Sequence, residues 1–225
     1  MKTVAAIFAH PDDEVLGCGA TLALHAARGD RVRILILATG LTSRGAASAQ
    51  QLAHLRQQGQ ASAKILGASE IEFADFPDNA LDTVGTLPVA RRVEEFLAAA
   101  APDTIYTHHA GDLNVDHRLV QLAVVTACRP LPDAGDVEIH ACEVPSSTEW
   151  APPALPHFVP VRFVDVHTTL EHKIAAMACY AAEVRAWPHP RSAEALRALA
   201  HWRGSQCGRQ AAEAFSLVRS VTTIS

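Results

Sequence analysis

An imidazole and three carboxylates fall together in His10-Pro11-Asp12-Asp13-Glu14, directly after the apolar run Val4–Phe8. Adjacent carboxylates disfavour each other's ionisation unless a cation or hydrogen bonds compensate, and a divalent metal is the simplest compensation. A second concentration of ligand types, His108-His109-Ala110-Gly111-Asp112-Leu113-Asn114-Val115-Asp116-His117, follows the run Thr104–Thr107. If both runs are strands of a parallel sheet, their carboxyl ends share one edge, and the two loops can meet there. His10 and Asp13, three apart at a strand-to-helix turn, would then join His117 in a two-His, one-carboxylate set with an open position, a familiar donor set for catalytic zinc. The same set suits ferrous iron.

With Asp13 as a ligand, Asp12 is the natural general base. Neighbouring side chains point different ways, so one carboxylate can bind the ion while the other faces an activated water. Glu14 suits the first helical turn or a supporting position. A competing explanation treats Pro-Asp-Asp-Glu as ordinary helix-start chemistry; the distal histidine segment favours the metal. His108 and His109 are weaker candidates, because a histidine near a strand end often meets only backbone. Asp112 and Asn114 also suit a turn, and Asp116 suits a helix cap.

The elements that must position these groups alternate strand and helix. Strands are expected at Val4–Phe8, Val32–Ala38, Ile71–Ala74, Thr104–Thr107 and Val137–Cys142. Helices are expected at Val15–Ala27, Ala46–Leu66, Pro88–Ala100, Arg118–Cys128, Thr169–Ala182 and Ser192–Gly204. The unbroken apolar strands and the crossover lengths predict a parallel, doubly wound sheet covered on both faces. Five prolines between Pro145 and Pro160 predict an ordered loop or edge segment there. Gly17 and Gly19 lack the GxGxxG spacing of a dinucleotide loop; close helix-to-sheet packing accounts for them better.

The HPDDE run closing the first strand, together with Asp116-His117, resembles the PIG-L/LmbE family of zinc-dependent N-deacetylases. The α/β order agrees with that family over about residues 1–145, and Ala212-Glu213-Ala214-Phe215 is similar to a late family segment. The resemblance implies a Rossmann-like, mostly parallel sheet with helices on both faces, in one domain spanning residues 1–225. It implies His10, Asp13 and His117 as zinc ligands, Asp12 as base, and a small N-acetylated amino sugar or related glycoconjugate as substrate. Many members read His-x-Asp-His where this chain has Asn114-Val115-Asp116-His117. Asn114 cannot donate a proton as an acid, but it can hydrogen-bond an oxyanion or a hydroxyl. Protonation of the departing nitrogen then falls to His108 or His109, indirectly to Asp116, or back to Asp12. Asp116 can instead orient a histidine. Members often keep an arginine in the loop after the second strand, which makes Arg44 a substrate-contact candidate. Glu149, Trp150, His189 and Arg191 are candidates to line or cover the pocket.

Composition narrows the partners. Nineteen Lys and Arg against 24 Asp and Glu leave a net charge of −5 with no basic run, which argues against nucleic acid and anionic membrane. The five cysteines form no CxxC pair, so neither a disulfide framework nor a thiolate zinc site is expected. No run approaches membrane-spanning length and the start lacks a signal-peptide pattern, so a cytoplasmic location is expected. A homo-oligomer is compatible with the sequence. The alternative to an amide hydrolase is a catalytically impaired, metal-containing binder of a sugar or nucleotide sugar, motivated by Asn114.

Overall fold

A computed structural model describes residues 1–41, 45, 47–131 and 135–221. Seven strands form one sheet in the order β3-β2-β1-β4-β5-β7-β6. The parallel portion comprises β1 (Thr3–Phe8), β2 (Arg31–Ala38), β3 (Glu70–Phe76), β4 (Thr104–His108) and β5 (Glu138–Cys142). Two strands absent from the sequence expectations, β6 (Arg162–Asp165) and β7 (Ala212–Arg219), complete it, β7 antiparallel to β5 and β6 antiparallel to β7. Short length hid β6, and the buried charge of Glu213 broke the apolar pattern of β7.

Strand alternation explains the layers. Val4, Ala6 and Phe8 point into one core with Leu16, Met177, Tyr180 and Leu196, while Ala5, Ile7 and Ala9 point into the other with Val93, Phe96, Val120 and Val124. The helices supplying the first core are α1 (Asp13–Ala27), α2 (Ala49–Ile65), α6 (Leu170–Cys179) and α7 (Ala193–Cys207). On the second face lie α3 (Leu81–Val84), α4 (Thr86–Ala98) and α5 (Val115–Ala127). Helix α2 starts at a capping box between Ser48 and Gln51, and α5 starts at Asn114, whose side chain accepts from Asp116 N–H. Both starts differ from the expected boundaries because the capping residue, not the first apolar residue, sets the first turn.

Strand β1 has β2 on one side and β4 on the other, so the chain winds in opposite directions from their carboxyl ends. That crevice is where a doubly wound sheet exposes backbone and side chains together. Helix α1 opens from it and is broken at Cys18 (φ −150°, ψ 18°). Gly17 explains the approach: a Cβ there would lie 3.0 Å from Cys142 Cβ and 3.1 Å from Phe8 Cε1. A buried ion pair satisfies the broken turn. Lys173 Nζ donates to Leu16 O (2.8 Å) and Glu213 Oε1 (2.6 Å), and the Glu213 carboxylate accepts from Ala20 N–H and Thr21 N–H. Glu213→Gln leaves Lys173 as a buried cation without its counter-charge. A loss of about 3–5 kcal/mol is expected from that change, read as a lowered urea midpoint with an unchanged slope.

Candidate active site

The two loops meet as the spacing predicts. His10 Nδ1 and Asp13 Oδ2 are 3.2 Å apart, His117 Nε2 and Asp13 Oδ2 3.2 Å, and His117 Nε2 and His10 Nδ1 3.3 Å. These three donors form a nearly equilateral triangle. Its edges match the roughly 3.3 Å separation of ligands on a tetrahedral ion with bonds of about 2.0–2.1 Å. Asp13 and His117 are buried and His10 is partly exposed, which leaves one side open. The donors therefore fit one divalent cation.

Each imidazole turns its other nitrogen to a carboxylate. His117 Nδ1 lies 3.1 Å from Asp112 Oδ1, and His10 Nε2 lies 3.0 Å from Asp116 Oδ2 and 3.2 Å from Asp78 Oδ1. Such partners fix which nitrogen is free to ligate and raise its basicity. His10, Asp78 and Asp116 could themselves gather round a cation. While His10 ligates through Nδ1, however, its Nε2–H is the donor to these carboxylates, so they serve as its orienting shell. Asp112 is itself held by Thr148 Oγ1 (2.6 Å), Ser147 Oγ and Asn114 N–H (2.9 Å), and Asp116 Oδ1 accepts from Leu81 N–H (2.9 Å). The sequence motif held Asp112 only as a turn residue and gave no signal for Asp78, Ser147 or Thr148, because their partners are far away in the chain.

Charge follows from this crowding. Burial disfavours charge on all three donors, yet His117 and His10 hold the Asp13 carboxyl well below its usual range. Burial likewise opposes protonation of His10, but Asp116, Asp13 and Asp78 raise it to about 10. His117 is raised against burial to about 9 by Asp13 and Asp112. Asp112 stays well below the ordinary range despite burial, through His117, Ser147 and Thr148.

Asp12 stands at the first turn of α1 in the left-handed region (φ 111°, ψ −26°), and its side chain makes no cap. A non-glycine residue held there is a mark of strain carried at a functional position. Glu14 secures it: Oε2 accepts from Asp12 N–H (3.0 Å), while Oε1 accepts from Tyr180 O–H (2.6 Å). Burial pushes the Glu14 carboxyl up to about 7. Asp12 Oδ2 accepts from Arg191 Nη1 at 2.8 Å, and burial raises the Asp12 carboxyl well above its usual range despite that cation. A cavity of about 100 Å³ opens beside this group, lined by His10, Pro11, Asp12, Gly40, Leu55, Asp78, Asn79, Asn114, Glu183 and Arg191.

The remaining expected residues distribute unevenly. Asn114 faces the cavity with both ends of its amide engaged, Oδ1 by Asp116 N–H (2.8 Å) and Nδ2 by Asn79 Oδ1 (2.9 Å). Asp116 sits behind His10. His109 does not line the cavity; its Nδ1 accepts from Gly111 N–H (3.1 Å) and its ring meets Phe158 edge-on. His108 is fully buried, accepts from Ala9 N–H at Nε2 (2.8 Å), and stacks on His117 with centroids 3.8 Å apart. Arg44 lies outside the described residues. Of the late candidates, Arg191 reaches the cavity, whereas Trp150 is half exposed and meets His189 edge-on.

Residues 5–128, which carry His10, Asp13 and His117, match the family model for PIG-L, GlcNAc-PI de-N-acetylase. The chain belongs to the PIG-L family. Among curated relatives it is 28% identical to the uncharacterized deacetylase YaiS of Escherichia coli over 151 residues, covering 65% of this chain and 76% of YaiS. It is also 28% identical to 4-oxalmesaconate hydratase of Pseudomonas putida over 213 residues, covering 84% and 76% respectively. Among solved structures, the N,N'-diacetylchitobiose deacetylase of Pyrococcus horikoshii superposes with a TM-score of 0.77 at 20% identity, over 96% of this chain and 84% of that one. The last likeness shows the fold alone. Within this PIG-L domain no described helix is long and apolar enough to cross a membrane.

Two outcomes follow from the donor geometry. Because metal-free His10 and His117 hold protons up to about 10 and about 9, a divalent cation must displace them at neutral pH. Zinc binding near pH 7 should therefore release protons and weaken as pH falls, read by calorimetry in buffers of different ionisation enthalpy. Asp112→Asn should lower zinc affinity about 10–100-fold while leaving the circular dichroism spectrum intact.

Proposed function

We propose that this PIG-L domain is a metal-dependent amide hydrolase that removes an acetyl group from a small N-acetylated amino sugar or related glycoconjugate. The observation that carries this reading is the triangle of His10 Nδ1, Asp13 Oδ2 and His117 Nε2, with Asp12 lining the cavity that His10 also lines. Zinc, or ferrous iron on the same donors, would supply Lewis acidity toward the amide carbonyl and lower the pKa of the attacking water. The family's deacetylases, and the hexosaminyl amide in its description, support the substrate class.

The chain's own groups divide the rest of the work. Asp12 takes the proton from the attacking water, helped by a carboxyl whose proton affinity burial has raised. The same carboxylic acid then returns a proton to the departing nitrogen, which requires no second acid. That assignment suits a chain with Asn114 where many members have histidine. Asn114 contributes by capping α5 and so holding Asp116 and His117 on their helix, with its amide edge toward the cavity. Asp116 acts through His10. His109, set against Phe158 and away from the cavity lining, takes a supporting part in the Gly111 turn. Arg44, which follows β2 in the sequence, is proposed as a contact for substrate hydroxyl or phosphate oxygens.

A second reading, hydration of an unsaturated carboxylic acid by the same base and cation, is favoured by the likeness to the hydratase of Pseudomonas putida. That likeness extends to a solved 4-carboxy-2-hydroxymuconate hydratase with a TM-score of 0.77 over 100% of this chain and 99% of that one, at 23% identity. One experiment separates the readings. Acetate release is measured on N-acetylated amino sugars and glycoconjugates, and loss of diene absorbance on unsaturated dicarboxylates, for wild type and Asp12→Asn. The expected result is zinc-dependent acetate release that falls about 10²–10⁴-fold in Asp12→Asn while zinc stoichiometry is kept. Absorbance loss without acetate release would transfer the assignment to hydration. Bound zinc with neither reaction would favour a non-catalytic sugar binder.

A further inference from the structure

The cavity wall holds three carboxylates, Asp12, Asp78 and Glu183, and among the described residues one arginine or lysine, Arg191. Arg191 precedes the Ser192 cap of α7, outside the residues matched by the family model. Its guanidinium is fully engaged on one flank: Nη1 donates to Asp12 Oδ2 and to Glu183 Oε2, both at 2.8 Å, and Nε donates to Ser146 Oγ at 2.7 Å. Ser146 stands beside Ser147 and Thr148, which hold Asp112. The contact to Asp12 crosses 179 residues and occupies one oxygen of the carboxylate.

A base works only when its free oxygen is aimed at the proton it takes, and small misplacements are costly in rate. Asp12 has two anchors. Glu14 holds its backbone N–H, and Arg191 holds its Oδ2. With Oδ2 fixed on the guanidinium, Oδ1 is the oxygen left to face water. Glu183 and Ser146 fix the guanidinium itself in turn. We propose that Arg191 is a positioning residue of the reaction, orienting Asp12 from the late segment of the chain, with Glu183 as its brace; this rests on the amide-hydrolase reading.

The test is a double-mutant cycle on the zinc-loaded protein, using whichever N-acetylated conjugate wild type hydrolyses. Arg191→Ala should lower kcat about a hundredfold, with KM within about threefold, and guanidinium ion added to the buffer should restore part of the loss. In the Asp12→Asn background the same substitution should cost nothing further, because the group it aims is already disabled. Ser146→Ala, which loosens the guanidinium but leaves its Asp12 contact, should lower kcat by no more than about tenfold, well short of Arg191→Ala. Arg191→Lys keeps the charge but loses the separate Nε donor to Ser146 that fixes the planar fork. It is carried through the same cycle should Arg191→Ala fail to fold. A readout without catalysis accompanies these: in the metal-free protein, rotation of the Arg191 guanidinium by nitrogen NMR should be slow in wild type and faster in Asp12→Asn. Additive losses in the cycle, a Ser146→Ala defect equal to that of Arg191→Ala, or free rotation in wild type would overturn the proposal. Absence of acetate release by wild type would instead sink the amide-hydrolase reading on which it rests.

Discussion

Carboxylate crowding at one sheet edge is the constraint on which the rest of the structure depends. Asp12, Asp13, Glu14, Asp78, Asp112 and Asp116 are all buried around the carboxyl ends of β1 and β4. Isolated buried anions are prohibitively unfavourable, so each must find a cation, a donor or a proton. Asp13, Asp112 and Asp116 find imidazoles, Glu14 finds Tyr180 and a backbone N–H, and Asp12 finds Arg191. Raised proton affinity at His10 and His117 offsets part of that charge in the protein alone, and a divalent cation on the same donors would take the place of those protons. Stability and metal affinity are thereby coupled to the same groups.

That arrangement explains why so much of the chain beyond the site is needed. The donor to Asp12 comes from the segment before α7, and the donors to Asp112 come from the turn after β5. Helix α1, which carries Asp13 and Glu14, is broken at Cys18 so that Gly17 can press on Phe8 and Cys142. The break exposes backbone groups inside the protein, and Lys173 with Glu213 satisfies them. A first helical turn aimed at the crevice is thus maintained by an ion pair from α6 and β7. Gly111 adds a second constraint of the same kind: any Cβ there would collide with Pro156 O, so the loop after β4 and the proline-rich segment pack backbone to backbone.

Local pattern made the first five strands and the facing helices legible, because apolar runs of β length separated by helical spacing leave few alternatives. The triangle of His10, Asp13 and His117 was legible for a related reason: strand ends of a parallel sheet share an edge, so two motifs about a hundred residues apart need no further information to be brought together. Asp112, Asp78 and Arg191 were not legible to the same degree. Their work depends on which atom they touch across long chain separations, and an aspartate in a turn reads alike whether it caps a backbone or orients a histidine. Strand β7 was obscured because Glu213, one of its two charged residues, lies inside, paired with Lys173, where the alternation of a strand would call for an apolar side chain.

Likeness to both deacetylases and a hydratase is understandable from what the two halves of the chain supply. The matched residues 5–128 carry the donor triangle, Asp12 and the crevice, and on the proposed reading a base beside an electrophilic cation would serve attack on an amide or on a conjugated alkene alike. Discrimination must come from what surrounds the electrophile. Here that surrounding is acidic, with Asp78 and Glu183 beside Asp12 and, among the described residues, a single arginine already shared between two carboxylates. A polyanionic acid would enter against these charges, whereas a neutral amide would not, and an amine product gains a proton among them. The electrostatics of the cavity wall therefore weigh toward amide hydrolysis, on grounds independent of the donor triangle that both chemistries share.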